Sequence, residues 1–131
     1  MEGNYFITTS HDYNISSQEI YDLIREGKLF QLTGAETVNF TFSENGAFEL
    51  MFKSGNVTGQ FMKIIENEKI ILEWDSEGFS RESEKGTKVW ITILGNENHS
   101  TVTIEHREIP TEESALAKEK SWKRILEELN K

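Results

Sequence analysis

The sequence predicts an α+β domain in which a curved antiparallel sheet wraps around a long C-terminal helix. The spacing of apolar residues changes to strict alternation near Thr37 and to a helical period after Thr111. The predicted strands between these points are separated by short polar segments, which favours antiparallel pairing because parallel neighbours need crossovers of a dozen or more residues. A sheet and a helix that each have one apolar face are stable when they bury those faces together.

A strand and a short helix are expected before the sheet. Residues 5–10 are rich in β-branched and aromatic side chains, which is typical of a strand. Ser16 and Glu19 have the spacing of a capping box, in which the two residues bond each other's backbone at the start of a helix. We therefore predict a helix over about residues 17–26, ended by Gly27.

Six strands are predicted in the alternating region. In the first of them Val38, Phe40 and Phe42 alternate with polar residues, which indicates a half-buried strand. Asn45 and Gly46 favour a tight hairpin because both tolerate positive φ. A polar loop is expected over residues 76–86. The predicted strands cover residues 38–43, 48–52, 57–65, 70–74, 89–94 and 101–107.

The final helix is predicted to begin after Pro110, with Thr111 as its N-cap. Its second half has one apolar stripe, which should lie in the concave face of the sheet. Its first half offers a thinner apolar surface, so space is expected there between helix and sheet. The stripe consists of Trp122, Ile125, Leu126 and Leu129, and the thin segment of Ala115, Leu116 and Ala117.

Composition limits the class of protein. The 131 residues are expected to form one domain over residues 1–131, with 36% hydrophobic and 28% charged residues. A formal net charge of −9 argues against nucleic acid and anionic membrane surfaces as partners. The chain has no cysteine, and Met1 to Tyr5 do not have the pattern of a signal peptide. No apolar run is long enough to span a membrane, and a cytoplasmic location is expected.

Motifs for cofactors, metals and nucleophiles are missing from the sequence. It contains no phosphate-binding glycine loop, no dinucleotide fingerprint and no nucleophile elbow, so no cofactor is expected. His11, His99 and His106 lie on separate segments without metal-ligand spacing. Glu73 and Asp75 flank Trp74 and are interpreted as a solvated face rather than as an acid–base pair.

Several spaced segments together resemble the START-like (SRPBCC) superfamily. Within it, the chain is most similar to the family of homologues of the activator of heat-shock protein 90 ATPase. The resemblance covers nearly the whole chain and is strongest from Gly46 onward. It is carried by Asn45-Gly46-Ala47-Phe48, Gly59-Gln60-Phe61, Lys69-Ile70-Ile71-Leu72-Glu73-Trp74, Thr101-Val102-Thr103-Ile104-Glu105-His106, and Ser121-Trp122 with Leu126 and Leu129.

The resemblance implies a helix-grip fold of the START/Bet v 1-like type, often with an apolar cavity between sheet and helix. It also implies three possible roles. The leading hypothesis is a non-catalytic module that binds an apolar small molecule or a lipid. The alternatives are contact with a chaperone protein, as an activator of its ATPase, and cyclase- or hydrolase-type chemistry.

His106 is the one residue for which the sequence suggests catalysis. If Val102 and Ile104 face the helix, alternation turns His106 inward as well. An inward histidine can act as an acid or base near neutral pH. Otherwise it is a buried histidine that bonds a neighbour or orients a ligand, and we favour this second interpretation.

The candidate cavity residues are mostly large rings. Phe79 stands alone in the predicted polar loop and is interpreted either as a lid over the cavity or as a minor anchor. The full set of ligand-binding candidates is Phe61, Trp74, Phe79, Trp90, His106, Ala117 and Trp122.

Overall fold

The computed structural model describes residues 5–131 as seven strands and three helices. Met1 to Asn4, which include most of the segment tested for a signal peptide, lie outside the described residues. In chain order the elements are β1 (Tyr5–Tyr13), α1 (Ser17–Arg25), α2 (Lys28–Leu32), β2 (Thr37–Phe40), β3 (Ala47–Met51), β4 (Gly55–Ile65), β5 (Lys69–Gly78), β6 (Arg81–Gly95), β7 (Ser100–Ile109) and α3 (Glu112–Glu128).

All seven strands form one antiparallel sheet in the order β1-β7-β6-β5-β4-β3-β2. Strands β2 to β7 therefore follow one another as the predicted meander, and β1 pairs with β7 at the far edge. Register shifts place one extra residue in β4 between Phe61 and Lys63 and two in β6 between Arg81 and Thr87. Such bulges bend a strand and increase its twist, which accounts for the curvature of the sheet.

Helix α3 packs against β1 and β7. Its predicted apolar stripe is buried in full, from Trp122 at 4% exposure to Leu129 at 0%. Thr111 caps the helix as predicted, since its Oγ1 accepts a hydrogen bond from the backbone N–H of Ser114 at 3.1 Å. The predicted helix-grip α+β fold is confirmed.

The region between β1 and β2 contains helix α1, which the sequence predicted, and helix α2, which it did not. The capping box of α1 is present, with Ser16 and Glu19 bonding each other's backbone N–H at 3.0 and 3.1 Å. Helix α2 follows directly after Gly27, whose φ of 92° reverses the chain. It buries Leu29 and Phe30, but five residues are too few to show a helical period.

The predicted polar loop over residues 76–86 is wrong. Strand β5 continues to Gly78 and β6 resumes at Arg81, so only Phe79 and Ser80 form the turn. Both have positive φ, 59° and 60°, as a two-residue hairpin of this kind requires. The strand pattern was hidden because the buried positions in this part of β6, Glu84 and Thr87, are polar and lie three residues apart across a register shift.

Two strand ends also differ from the prediction. Strand β1 runs on to Tyr13, whose ring is buried and whose hydroxyl donates to the Leu126 carbonyl at 2.5 Å. Strand β2 ends at Phe40 rather than at residue 43. After Phe40 the chain turns, with the Ser43 N–H bonding the Thr41 carbonyl at 2.9 Å.

Candidate functional site, a cavity between the last helix and the sheet

A cavity of about 320 Å³ lies between the first half of α3 and the hairpin of β5 and β6. Thr33, next to the end of α2, and the turn between β3 and β4 complete its walls. The lining is mainly apolar. The apolar residues that surround the cavity are Phe52, Val57, Trp74, Phe79, Trp122 and Ile125.

Small residues on α3 create this space. Ala117 and Ser121 are one helical turn apart, line the cavity and are both exposed, so they lie at its mouth. Leu116 does not line the cavity, because it points away from the sheet with 59% of its surface exposed. The sequence predicted the thin segment through Ala117 but not the contribution of Ser121.

Two tryptophans separate the cavity from the packed core. The rings of Trp74 and Trp122 meet edge to face with their centres 5.2 Å apart. Behind them a space of only about 20 Å³ remains, which Phe61 helps to line. The structure therefore places Phe61 in the core behind the cavity and not on the cavity wall, which corrects its assignment as a cavity residue.

Trp90 was also predicted to line the cavity, and the structure corrects this. Its neighbours Val89 and Ile91 are buried against the core, so strand alternation turns Trp90 to the opposite face of the sheet. There the Arg107 guanidinium lies 4.2 Å from the centre of the Trp90 ring, and the Lys69 ammonium 5.4 Å from it. Both distances are in the range of a cation–π contact.

Phe79 lies at the tip of the hairpin, where it lines the cavity. Its backbone N–H donates to the Ser54 carbonyl at 2.7 Å, and its ring meets that of Phe52 with the centres 5.2 Å apart. These contacts join the hairpin tip to the turn between β3 and β4. Phe79 thus borders the cavity and also anchors the tip.

His106 is fully buried, and both of its ring nitrogens are hydrogen bonded. The Trp122 indole N–H donates to His106 Nδ1 at 3.1 Å, and His106 Nε2 lies 2.9 Å from Thr87 Oγ1. The Thr87 hydroxyl in turn donates to the Trp74 carbonyl. Because an indole N–H only donates, Nδ1 is the acceptor and Nε2 carries the proton of a neutral ring.

Burial holds His106 in this neutral form. Together with the positive charge of Lys118, it lowers the pKa of His106 to about 3. A ring with both nitrogens engaged and so low a pKa neither takes up nor releases a proton near neutral pH. The geometry therefore favours the buried, hydrogen-bonded histidine over the acid–base residue.

A charged cluster that the sequence did not predict forms one wall of the cavity. Lys118 Nζ lies 2.7 Å from a carboxylate oxygen of Glu84 and 3.0 Å from Ser114 Oγ. Arg81 donates to the same Ser114 Oγ at 3.2 Å. The side chains of Lys118 and Glu84 are only 13% and 4% exposed, so this ion pair is buried.

Burial and the ion pair shift the pKa of Glu84, and that of Lys118, in opposite directions. For Glu84, burial alone would raise the pKa of the carboxyl, but the hydrogen bond and charge of Lys118 outweigh it and hold that pKa below its ordinary value. For Lys118, burial lowers the pKa in spite of Glu84. One feature of the sequence points toward this cluster. Ser114, Lys118 and Trp122 are spaced by four residues, so they share one face of the helix.

Other kinds of site were sought in the described part of the chain. Among residues 5–131 no group of three or more metal-binding side chains comes together. None of the three helices described has the length and apolar character needed to cross a membrane.

The buried neutral His106 predicts a specific pH dependence of stability. In the unfolded chain a histidine takes up a proton near its ordinary pKa of 6.5, whereas in the folded protein it does so only near about 3. The contribution of His106 to the free energy of unfolding is therefore fully present above pH 6.5 and falls by roughly 1.4 kcal/mol for each pH unit below that value. Urea unfolding of wild type and His106→Gln between pH 7.5 and 4.5, in roughly half-unit steps, measures this loss.

The wild type should lose stability more steeply than His106→Gln over this range. His99→Gln, which removes an exposed histidine, is the matched control. Parallel profiles for wild type and His106→Gln would contradict a neutral, buried His106.

The fold is shared by many solved structures. Protein MLL2253 from Mesorhizobium loti superposes with a TM-score of 0.82 at 9% identity, covering 95% of this chain and 93% of that one. The Aha1 dimer from Colwellia psychrerythraea gives 0.75 at 19% identity, covering 95% and 92%. An HSP90 activator from Plasmodium falciparum gives 0.62 at 18% identity, covering 80% and 74%. At these identities the likeness shows the fold alone.

Comparison of the sequence with families and with functionally characterised proteins gives two results. No characterised protein matches the sequence. The family model described as "Activator of Hsp90 ATPase homolog 1-like protein" matches residues 14–131, which is most of the chain and includes the cavity. The chain therefore belongs to the family of activator of Hsp90 ATPase homolog 1-like proteins.

Proposed function

We propose that the protein binds an apolar small molecule or a lipid in the cavity between α3 and the sheet, without catalysing a reaction on it. The observation that carries this proposal is an open, mainly apolar cavity of about 320 Å³. Ligand sites in proteins begin at about 300 Å³ and combine apolar walls with a few polar groups. Here the lining includes the charged side chains of Arg81 and Lys118 and the polar side chains of Thr33, Ser76, His106 and Ser121.

The energetics of the cavity support this proposal. A closed, empty space of this volume would destabilise the fold by about 8 kcal/mol at roughly 24 cal/mol per Å³. That is a large part of the 5 to 15 kcal/mol, roughly, by which domains are stable. The open mouth admits water and lowers this cost, but it leaves apolar walls hydrated. A ligand that covers them gains about 25 cal/mol for each Å² of apolar surface.

The candidate side chains for catalysis have other partners. His106 is fixed between Trp122 and Thr87. Asp75 accepts a hydrogen bond from the backbone N–H of Gly86 at 2.6 Å, and Glu73 lies 3.8 Å from the ammonium of Lys88. These contacts favour a binding role over cyclase- or hydrolase-type chemistry.

We expect a bound ligand to stabilise the protein and Ala117→Phe to abolish the effect. A ligand at about 100 times its dissociation constant adds roughly 2.7 kcal/mol, a rise of several degrees in melting temperature. Organic extraction and mass spectrometry of the purified protein identify candidates, and thermal-shift screening of fatty acids, sterols and aromatic polyketides tests them. Phenylalanine at position 117 would fill the mouth of the cavity.

Leu116→Phe is the matched control, because residue 116 is on the same helix turn but points away from the cavity. It should leave every thermal shift unchanged. If no extracted molecule and no compound of the screen stabilises the wild type, the binding function is wrong. If Ala117→Phe keeps the full shift, the ligand binds elsewhere.

A second candidate function is activation of a chaperone ATPase. It is favoured by the family match and by a surface that the cavity does not use. On the convex face Trp90 lies under Arg107 and beside Lys69. Tryptophan and arginine are enriched at the centres of protein interfaces.

The test for this candidate is stimulation of the ATPase of heat-shock protein 90 by the purified protein. Stimulation that is lost in Trp90→Ser and kept in Ala117→Phe would place the contact on the convex face. Absence of stimulation at high protein concentration would remove this candidate.

A further inference from the structure

We infer that the ligand of this cavity is an amphiphilic carboxylate, whose anionic group binds between Arg81 and Lys118 while its apolar body lies against Trp74 and Trp122. This inference rests on the proposed binding function and specifies its ligand. It is carried by the arrangement of charge on one wall of the cavity.

The wall has more positive than negative charge. Arg81, Lys118 and Glu84 form one cluster, and of these only Glu84 is acidic. The Glu84 carboxylate forms an ion pair with Lys118 at 2.7 Å. Within residues 5–131 no carboxylate forms an ion pair with Arg81.

The two cations also retain unused hydrogen-bond donors. A lysine ammonium has three N–H groups, and within residues 5–131 Lys118 directs them to Glu84 and Ser114 only. A guanidinium has five, and the contact of Arg81 within the described chain is one bond to Ser114. Because both cations bond the same Ser114 oxygen, they flank it. A carboxylate has two oxygens, so it can accept hydrogen bonds from Arg81 and from Lys118 at the same time.

The position of this cluster suits an amphiphile. Arg81 and Lys118 line the same cavity as the apolar residues. One molecule can therefore place its head group against the two cations and its apolar body against the apolar walls. Lys118 is only 13% exposed, and a charge-assisted hydrogen bond in such a partly desolvated place is stronger than one in water. The protein as a whole carries a net charge of −9, so this positive wall is a local exception.

The test compares carboxylates with matched neutral molecules. Isothermal titration calorimetry is performed with decanoate and 1-decanol, and with 2-naphthoate and 2-naphthalenemethanol, so that a linear and an aromatic body are both examined. We expect the carboxylate of at least one pair to bind about tenfold more tightly than its alcohol, the gain of one charge-assisted hydrogen bond. Which pair shows the larger preference distinguishes a fatty-acid from an aromatic source of the carboxylate.

Arg81→Gln should reduce this preference severalfold. Lys85→Gln is the matched control, since Lys85 is an exposed residue of the same strand outside the cavity and the loss of net charge is identical. Circular dichroism shows that each variant is folded.

The outcomes separate this inference from the function on which it rests. Equal affinity for carboxylate and alcohol, or a preference that Arg81→Gln does not reduce, would overturn the inference while the binding function stands. Failure of all four molecules to bind would overturn the inference, and the binding function is then decided by the extraction and screening experiment. A preference that Lys85→Gln reduces as much as Arg81→Gln would assign it to net charge and likewise overturn the inference.

Discussion

The cavity depends on the buried hydrogen-bond chain that runs from Trp122 through His106 and Thr87 to the carbonyl of Trp74. This chain joins α3 to three neighbouring strands, β7, β6 and β5. Each of its polar groups is buried, and leaving one of them without its partner would reduce the stability of the fold by about 1 to 3 kcal/mol. The helix is therefore fixed to the sheet at Trp122, and its distance from the sheet on either side depends on the side chains there.

On the two sides of Trp122 these side chains differ in size and polarity. Toward the C-terminus Ile125, Leu126 and Leu129 fill the space against the sheet and are buried. Toward the N-terminus Ala117 and Ser121 are too small to do so, and the space becomes a cavity. Lys118 lies on the same side and requires a charged partner, which Glu84 provides. One helix thus closes the core and contributes to both the apolar and the charged wall of the site.

Most of the fold followed from local patterns. The six-strand meander, the capping box of α1, the N-cap Thr111 and the buried stripe of α3 all depend on residues close in sequence. The hairpin of β5 and β6 was missed because Glu84 and Thr87 occupy inward positions that usually carry apolar residues. Their partners, Lys118 and His106, are distant in sequence, so their pairing could not be read from a local pattern.

The site was predicted less completely than the fold. Alternation placed His106 inward correctly, but the same rule applied to Val89 and Ile91 would have turned Trp90 outward. Trp90 was chosen because it is a large ring, and ring size does not indicate which face of a strand a residue occupies. The charged wall is the part of the site that required the structure, since a buried ion pair depends on two distant segments meeting.

The account is tested most directly by the three tryptophan indole N–H signals in a ¹H–¹⁵N NMR spectrum during titration with decanoate. Trp74 and Trp122 line the cavity, whereas Trp90 lies on the opposite face of the sheet and is an internal control. We expect the signals of Trp74 and Trp122 to move with one common dissociation constant while that of Trp90 stays in place. A shift of Trp90 alone, or binding of decanoate in calorimetry without a shift of Trp74 and Trp122, would contradict a binding site between the helix and the sheet.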